Sequence, residues 1–512
     1  MFFNSNVKLL LVLLLAVVIT YMLNSKDEIS NEGEIEGLDE DIQMEDLEPQ
    51  EGDIEEVVDQ EALENVDSGA AEVAAELNED DMIDSVLKVD VEPNDLSQGN
   101  NANIKDNNTS VTAQNMQKLM KENDDNKLKF NSGELLPKEV NNDWFETDVE
   151  GFRVHWLPVL YRNKMSFYAR ISAFFKFAFR SARKVASLHA DIVFATSTPL
   201  TVVIPAVYAC KLQKIPMVFE VRDLWPELPI AMGALKNPVA RFLARKLEIF
   251  AYENASCIVA LSPGMKDGVS RTGFPSSKIA VIPNSSDVKM FRIDKEFGEI
   301  FRNERAWIGK HPLLIYTGTF GLINGVDYLI DLAMHLSNLK SDIKILAIGG
   351  GIKFDGVIEQ ARTAGVLNHN FFIEKYLQKK DIPAALAAAT ISSALFIDKP
   401  EMRPNSANKF FYSLAAGKPI MINYGGWMHE LIESNGCGLS MWQKPIGQVA
   451  KELDECLHDP SWLEKASEAA AALADSFFDR DILATQLLKV LQSTVEGCPE
   501  KAEKIAPGNY SE

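Results

Sequence analysis

Three charged residues follow an apolar run in the stretch FEVRDLWPE, residues 219–227. The Val and Phe residues of this run are typical of a buried parallel strand, and Arg222, Asp223 and Glu227 come just past its end. In doubly wound α/β sheets, ligands bind outside the carboxyl ends of the strands. These residues are therefore candidates for substrate binding or acid–base chemistry. The alternative is structural, with Arg222 and Asp223 pairing to hold the loop in place.

A second group of charges surrounds a predicted helix in MRPNSANKFFYSLAAGKPIMI, residues 402–422. The helix is expected to begin near Ser406, with Asn405 or Ser406 as its N-cap. Arg403 stands before it and Lys409 falls in its first turn. Because a helix dipole disfavours cations at the N-terminus, this pair predicts a bound polyanion such as a diphosphate. Simple solvation of Lys409 at the surface is the alternative.

Glycines follow two further apolar runs. Gly318 and Gly321 lie between a predicted strand and a predicted helix in YTGTFGLINGVDYL, and AIGGG, residues 347–351, ends the next strand with three glycines. Glycines there allow backbone N–H groups to approach a phosphate. Neither segment matches GxGxxG or a P-loop. The prediction of phosphate binding therefore depends on the two segments lying at the ends of two strands of the same sheet.

Short apolar runs alternate with helical stretches from about residue 150 onwards. They include GFRVHWLP, DIVFATS and PMVFEV, and after residue 310 PLLIYTG and DIKILAIGGG. This alternation predicts βαβ units and parallel sheets, with a polar joint near residues 284–301 that separates two α/β domains. The predicted divisions are a membrane anchor (1–25), an acidic disordered stalk (26–148), a first Rossmann-like domain (149–300), a second (301–480), a helix that crosses back (481–495) and a loose polar tail (496–512).

The acidity of the chain is concentrated in one segment. Residues 26–100 hold 28 Asp/Glu and 2 Lys/Arg, a net charge of −26, whereas the whole chain has −23. Such a segment buries too little apolar surface to fold, which predicts the disordered stalk. The remainder, at +3, has basic patches suited to phosphates or an anionic membrane, and nucleic acid is not expected as a partner.

Two features bear on the cellular location. Residues 9–23 are nearly all apolar and lack a small-residue cleavage site, which predicts an uncleaved single-pass anchor over residues 7–24. Five scattered cysteines without a CxxC pair indicate reduced thiols and a cytoplasmic catalytic part. A lumenal type II arrangement is the alternative, since the sequon Asn107-Asn108-Thr109 would accept a glycan there.

A cationic, aromatic-rich helix is predicted over MSFYARISAFFKFAFRSARKVASL, residues 165–188. Phe residues alternate with Arg and Lys residues along it, a pattern that favours an anionic membrane interface. An ordinary domain-packing helix has equal weight.

NKFFYSLAAGKPIMI resembles the donor-site helix of the GT-B retaining glycosyltransferases of family 4. VFEVRDLWPELPIAMGAL, with LEIFAYENASCIVALSPGM and VIPNSSD, resembles the bacterial branch that builds O-antigen and exopolysaccharide. The resemblance covers roughly residues 150–490. It implies two Rossmann-like domains facing a cleft, a nucleotide-sugar as substrate held mainly by the second, a lipid-linked or glycan acceptor, and no metal or cofactor.

The resemblance also implies roles for single residues. Arg403 and Lys409 would neutralise the donor diphosphate, and Glu374, just past FFI, would contact the base. The other implied donor-site residues are Gly318, Thr319, Gly321, Gly350 and Asn408. The implied catalytic residues of the first domain are Arg222, Asp223 and Glu227.

The chain departs from the family in two places. Pro404 and Tyr412 stand where many members have two glutamates, the second of which meets the ribose. No strand, Gly-rich loop and helix precede residue 150 to form the family's first βα unit, which leaves open an incomplete first sheet, an incorrect gene model or a loss of activity. Two other functions stay open: a non-catalytic glycan- or nucleotide-binding scaffold, and a nucleotide-sugar epimerase with Asp223 and Glu227 as its acid and base.

Overall fold

The computed structural model describes residues 144–149, 151–159, 167–197 and 199–510. Strands β1 to β12 are Phe145–Val149, Phe152–Trp156, Val193–Thr196, Met217–Val221, Cys257–Ala260, Ile279–Val281, Leu313–Thr319, Lys344–Gly350, Phe371–Glu374, Ile391–Ala394, Ile420–Ile422 and Gly438–Ser440. Helices α1 to α16 are Phe167–Ser187, Val203–Gln213, Glu227–Ala231, Pro238–Asn254, Pro263–Arg271, Val288–Phe291, Lys295–Asn303, Tyr328–Asn338, Phe354–Thr363, Ile382–Ala388, Asn408–Ala415, Trp427–Asn435, Ile446–Leu457, Pro460–Leu473, Arg480–Val495 and Ala502–Ile505.

The first domain is built on a parallel sheet with the strand order β3-β4-β5-β6. Because these strands follow one another in chain order, right-handed crossovers place α2, α4 and α5 on one face. Phe219, Ile258 and Met265 are buried on that face. Val218 and Val259 point to the opposite face, which α15 and α16 cover.

Strands β1 and β2 form an antiparallel hairpin outside this sheet. The prediction that GFRVHWLP belongs to the alternating parallel pattern is wrong, because residues 152–156 pair antiparallel with residues 145–149. The predicted stalk, 26–148, likewise ends too late, since residues 145–148 belong to β1. Within the described residues the first sheet therefore has four strands.

The second domain has a parallel sheet with the strand order β12-β11-β10-β7-β8-β9. Chain order runs outwards from the centre in both directions, so the topology switches between β7 and β10. In such a sheet the crevice outside the carboxyl ends of the central strands is where ligands bind. Gly318 and Thr319 end β7, and Gly350 ends β8. The prediction of two parallel α/β domains is confirmed.

The C-terminal part of the chain crosses back to the first domain. After Phe478, α15 packs Leu483 and Val490 against the first sheet. The expectation of a loose tail over residues 496–512 is wrong for its described part: Val281 N–H donates to Ala506 O at 2.8 Å, and Tyr510 Oη donates to Val281 O at 3.2 Å. Ala502 and Ala506 are buried against β6, an apolar pair that the polar composition of the segment conceals.

Helix α1 confirms a single helix within the predicted range 165–188. Ala173, Ala178 and Val185 on one of its faces are buried, and the helix packs on α2. No helix among the described residues has the length and apolarity to cross a membrane. The predicted anchor over residues 7–24, and the predicted stalk as far as residue 143, lie outside the described residues.

Candidate functional site

A cavity of about 220 Å³ lies where the two domains face each other. Its first-domain wall includes Asp223, Glu227 and Arg271, and its second-domain wall includes Glu401 and Asn405. Two of the three predicted catalytic residues therefore line the cleft. Arg271 and Glu401, by contrast, were missed by the sequence analysis, because nothing in their local sequence shows that they face this cavity.

The loop after β4 carries Asp223 and Arg222 in different surroundings. Asp223 is only 8% exposed and lines the cavity. The Arg222 backbone N–H donates to Ser197 Oγ at 2.9 Å, and its Nη1 lies 3.8 Å from Glu220 Oε2. Ser197 thus connects the ends of β3 and β4. The structure places Arg222 beside Glu220 on the same strand end, and Asp223 at the cavity.

Glu227 begins α3 and is exposed at the cavity wall. Behind it, Glu248 of α4 is buried, and its pKa is raised to about 7 by desolvation and, to a smaller extent, by the charge of Glu227. Glu227 at the cavity is therefore electrostatically coupled to a buried carboxylate, Glu248, that does not line the cavity.

Lys409 and Gly318 meet at the carboxyl end of β7. Gly318 has φ of +150°, and a Cβ placed on it would lie 1.9 Å from Lys409 Cε. Lys409 Nζ lies 5.7 Å from the ring centroid of Tyr316 on the same strand. The first turn of α11 thus brings a cation onto the glycine at the topological switch point, where an anionic ligand is favoured.

The remaining glycines of this sheet have packing roles. A Cβ on Gly349 would lie 1.7 Å from Gly318 O, and one on Gly350 would lie 2.6 Å from the Tyr376 ring. Tyr376 Oη donates to Gly350 O at 2.7 Å. Gly321 lies between β7 and α8, as expected, and α8 begins only at Tyr328. Close approach of the ends of β7 and β8 accounts for Gly349, and the Tyr376 ring accounts for Gly350.

Arg403 stands before α11 with part of its guanidinium buried. Its Nε has no hydrogen-bond partner among the described residues, and its Cζ lies 5.2 Å from the Trp442 ring centroid. Buried polar groups are almost always hydrogen-bonded in native proteins, so a bound acceptor would satisfy this donor. Arg403 lies between Glu401 and Pro404 along the chain, and both of these neighbours line the cavity.

Helix α11 begins at Asn408, with Ala407 as its N-cap, and no side-chain oxygen caps it. The predicted caps, Asn405 and Ser406, both precede the observed cap, and Ser406 has other partners. Ser406 Oγ accepts from Asn284 N–H at 3.2 Å, and Asn284 Nδ2 donates to Ser406 O at 2.6 Å. The segment before α11 is thus joined to the interdomain connection, and the predicted cap is wrong because long-range hydrogen bonds use those groups.

Glu374 ends β9 and is bound by an arginine of the same domain. Arg305 donates to it through Nε at 2.8 Å and Nη2 at 2.9 Å, a bidentate pair. The Arg305 guanidinium also lies 3.6 Å from the Phe301 ring centroid. The position of Glu374 at the carboxyl edge of the sheet suits the predicted base contact, although Arg305 occupies both of its carboxylate oxygens.

The two residues that depart from the family pattern serve packing. Ser262 Oγ of the first domain donates to Pro404 O at 2.6 Å, across the cleft. Tyr412 stacks on Phe291 with ring centroids 4.5 Å apart. Within the described part of the chain no cluster of His, Cys, Asp or Glu could hold a metal ion.

Two family descriptions match adjoining parts of this chain. "Glycosyl transferase 4-like domain" matches residues 135–285, and "Glycosyl transferases group 1" matches residues 298–473. The protein carries two glycosyltransferase domains. The boundary between the matches falls at the polar joint near Asn284, and the glycosyltransferase domains meet at the cavity that contains Asp223.

A characterised glycosyltransferase shows distant similarity in sequence. The alpha-D-kanosaminyltransferase of Streptomyces kanamyceticus is 19% identical over 261 residues, which covers 49% of this chain and 63% of that enzyme. The similarity therefore spans less than two thirds of the relative's length.

Solved structures share the two-domain fold. Anabaena Alr3699/HepE, solved in complex with UDP-glucose, is 17% identical with a TM-score of 0.52 and covers 62% of this chain and 82% of its own. Sucrose-phosphate synthase from Thermosynechococcus elongatus is 14% identical with a TM-score of 0.55, covering 70% and 87%. A glycosyltransferase from Rickettsia africae is 16% identical with a TM-score of 0.51, covering 66% and 84%. At these identities the likeness shows the GT-B-like fold alone.

Proposed function

We propose that this protein transfers a sugar from a nucleotide-sugar donor to a glycan or lipid-linked acceptor. The observation that carries the proposal is the contact of Lys409 with Gly318 at the switch point of the second sheet. Arg403, with a buried and unsatisfied Nε, precedes the same helix. A diphosphate between these cations would satisfy both charge and hydrogen bonding.

The chemistry follows from the charges of the cleft. Departure of a nucleoside diphosphate develops negative charge, and Arg403 and Lys409 stabilise that charge without a metal. Asp223 lines the opposite wall, where a carboxylate can orient an acceptor hydroxyl or stabilise a cationic sugar. Much of the rate enhancement then comes from positioning both substrates across the cavity.

The finer assignment is also a proposal. Transfer with retention is supported by the resemblance of residues 408–422 to the donor-site helix of the retaining family. A role in O-antigen or exopolysaccharide synthesis is supported by the resemblance of residues 218–235 to that bacterial branch. A UDP-sugar is the preferred donor class, since the Anabaena neighbour was solved with UDP-glucose. The predicted anchor over residues 7–24 supports a single-pass membrane protein with a cytoplasmic catalytic part.

Incubation of the full chain with UDP-, GDP- and dTDP-sugars, with and without glycan acceptors, tests the function. Transfer releases free nucleoside diphosphate and is stimulated by an acceptor. An isomerised nucleotide-sugar without release would establish an epimerase instead.

A non-catalytic scaffold is the second candidate, and it is favoured by the lack of a recognisable strand, Gly-rich loop and helix in the sequence before residue 150. Such a scaffold would bind a nucleotide-sugar in calorimetry but would convert none of the UDP-, GDP- or dTDP-sugars tested. Donor binding with acceptor-dependent release excludes it.

A further inference from the structure

The outer side of α4 exposes large apolar side chains. Phe242 is 57% and Val239 53% exposed, and Ile249 is also exposed, one or two turns apart along the same stripe. The opposite stripe, with Leu243 and Leu247, is buried in the first domain. This helix therefore packs on its sheet through one stripe and presents a second apolar stripe that no described residue covers.

The neighbouring helices extend this surface. On α1, Phe179 is 43% exposed and stacks on Phe175 with centroids 6.1 Å apart. On α2, Leu212 is exposed, and Lys211 Nζ lies 5.8 Å from the ring centroid of Phe250 on α4. The three helices adjoin one another, since α2 contacts both α1 and α4. We name the exposed side of α1, α2 and α4 the helical face.

The charges among these apolar residues are mostly positive. Together α1, α2 and α4 carry nine Lys/Arg and two Asp/Glu; Arg170 and Glu248 are buried, which leaves eight basic residues and one acidic residue. Lys246 Nζ lies 5.5 Å from the Phe242 ring centroid, so a positive charge and an exposed apolar ring are adjacent on this surface. Exposed Phe, Val and Ile interleaved with Lys and Arg are what an anionic lipid interface attracts.

Another exposed apolar surface in the chain lacks this charge. On α7 of the second domain, Phe297 is 45% and Ile300 48% exposed. Glu296 and Glu299 offset the two basic residues of this helix, so it carries no excess of positive charge. A second copy on the helical face would place the same excess of cations against itself. Charge complementarity thus favours an anionic partner for the helical face.

We propose that the helical face docks on an anionic lipid bilayer. Phe242, Val239, Ile249 and Phe179 enter the interfacial region, and Lys246 and Arg245 contact the lipid phosphates. Docking of this kind is separate from the predicted anchor over residues 7–24, and it fixes the orientation of the first domain on the membrane.

The test compares the full chain with two double variants on vesicles of phosphatidylcholine alone and with about 30 mol% phosphatidylglycerol. The ratio of the two affinities is measured, because residues 1–143 are the same in every protein and contribute equally. Wild type is expected to favour the anionic vesicles at least about tenfold. Phe242→Ser/Lys246→Glu is expected to bring the ratio close to one.

The matched control is Phe297→Ser/Lys295→Glu on α7, which also removes an exposed Phe and reverses an exposed Lys. It is expected to keep the wild-type ratio. A second pair, Val239→Ser/Arg245→Glu, repeats the test at independent positions, with melting temperatures to verify folding. The proposal is overturned if wild type binds anionic and neutral vesicles with nearly equal affinity, or if the control variant loses its preference for anionic vesicles as much as the test variants do. It is also overturned if the test variants change self-association in sedimentation while their ratio of vesicle affinities stays at the wild-type value.

Discussion

The side chain of Lys409 crosses Gly318 so closely that a Cβ on residue 318 would lie 1.9 Å from Lys409 Cε. The glycine is therefore required by the lysine as well as by its own φ of +150°, a conformation that other L-residues rarely adopt. Since α11 and β7 are far apart in sequence, this contact shows that folding brings the first turn of α11 to the crevice of the second sheet.

Gly318→Ala is expected to displace Lys409 and weaken donor binding. The added methyl group and the positive φ both cost free energy, together on the order of 1–3 kcal/mol. Calorimetry with the best-bound nucleotide-sugar and thermal unfolding measure the two effects. Gly356→Ala is the matched control, because its Cβ would meet open space on α9, and it is expected to raise the melting temperature slightly.

The double variant Gly318→Ala/Lys409→Ala separates the clash from the backbone strain. Removal of the lysine side chain eliminates the contact, so Gly318→Ala should cost less stability in the Lys409→Ala background than in wild type. Additive losses would show that Lys409 does not pack on Gly318 in solution.

Lys409→Ala alone is expected to weaken donor binding about tenfold or more. The lost interaction is a charge-assisted contact with phosphate, which is worth roughly 1.5–3 kcal/mol. Lys451→Ala on the exposed side of α13 provides the control and should bind the donor like wild type. Equal affinities for wild type and Lys409→Ala, measured by calorimetry, would contradict the donor-site assignment.

Glu248 makes folding stability depend on pH. Burial, and then the charge of Glu227, raise its pKa to about 7 from an ordinary value of 4.5. The folded protein therefore binds more protons than the unfolded chain between these values, and stability falls as pH rises through this window. Glu248→Gln removes the ionisation and should raise stability at pH 8.5 by roughly 2–3 kcal/mol, with little effect near pH 4.5.

Glu253→Gln is the control for this effect, since Glu253 is exposed on the same helix. Thermal unfolding of the three proteins at both pH values gives the comparison. A stabilisation by Glu248→Gln that is equal at the two pH values would show that ionisation of Glu248 is not its cause.

Local sequence was sufficient to predict the two parallel sheets and the cation in the first turn of α11. It was insufficient to predict which residues surround that helix or that β1 and β2 form an antiparallel pair. Apolar runs such as PMVFEV predicted parallel strands because such strands are buried on both faces. Lys409 was identified because a cation in a first helical turn conflicts with the helix dipole. The N-cap was predicted wrongly because Ser406 bonds to Asn284, and that partner becomes visible only once the domains meet.

The residues that line the cavity were even harder to predict from local sequence. Asp223 could be identified from the sequence because it follows a recognisable strand. The residues that face it across the cavity could not be identified in this way. Arg271 and Glu401 lie in different domains, so only the docking of those domains places them at one cavity. The packed tail was missed for a related reason, since Ala502 and Ala506 bury too little surface to stand out in a polar segment.

Asp223 provides the sharpest test of chemistry in the first domain. It is 8% exposed, follows β4 and lines the cavity opposite Glu401 and Asn405. Asp223→Asn keeps the shape of the side chain and removes its charge. If the carboxylate acts on the acceptor hydroxyl or the transferred sugar, turnover is expected to fall on the order of 10²–10⁴, because a group that acts in the transition state is lost.

Donor affinity should stay near the wild-type value in Asp223→Asn, because the donor phosphates are assigned to Arg403 and Lys409 in the other domain. The structural alternative, in which Asp223 only orders its loop, predicts a lower melting temperature with turnover within about tenfold of wild type. Turnover, donor affinity and melting temperature measured on one preparation distinguish the two. Glu227→Gln is the companion variant, since Glu227 lines the same wall and is exposed. A destabilised but active Asp223→Asn, together with an inactive Glu227→Gln, would transfer the catalytic assignment to Glu227.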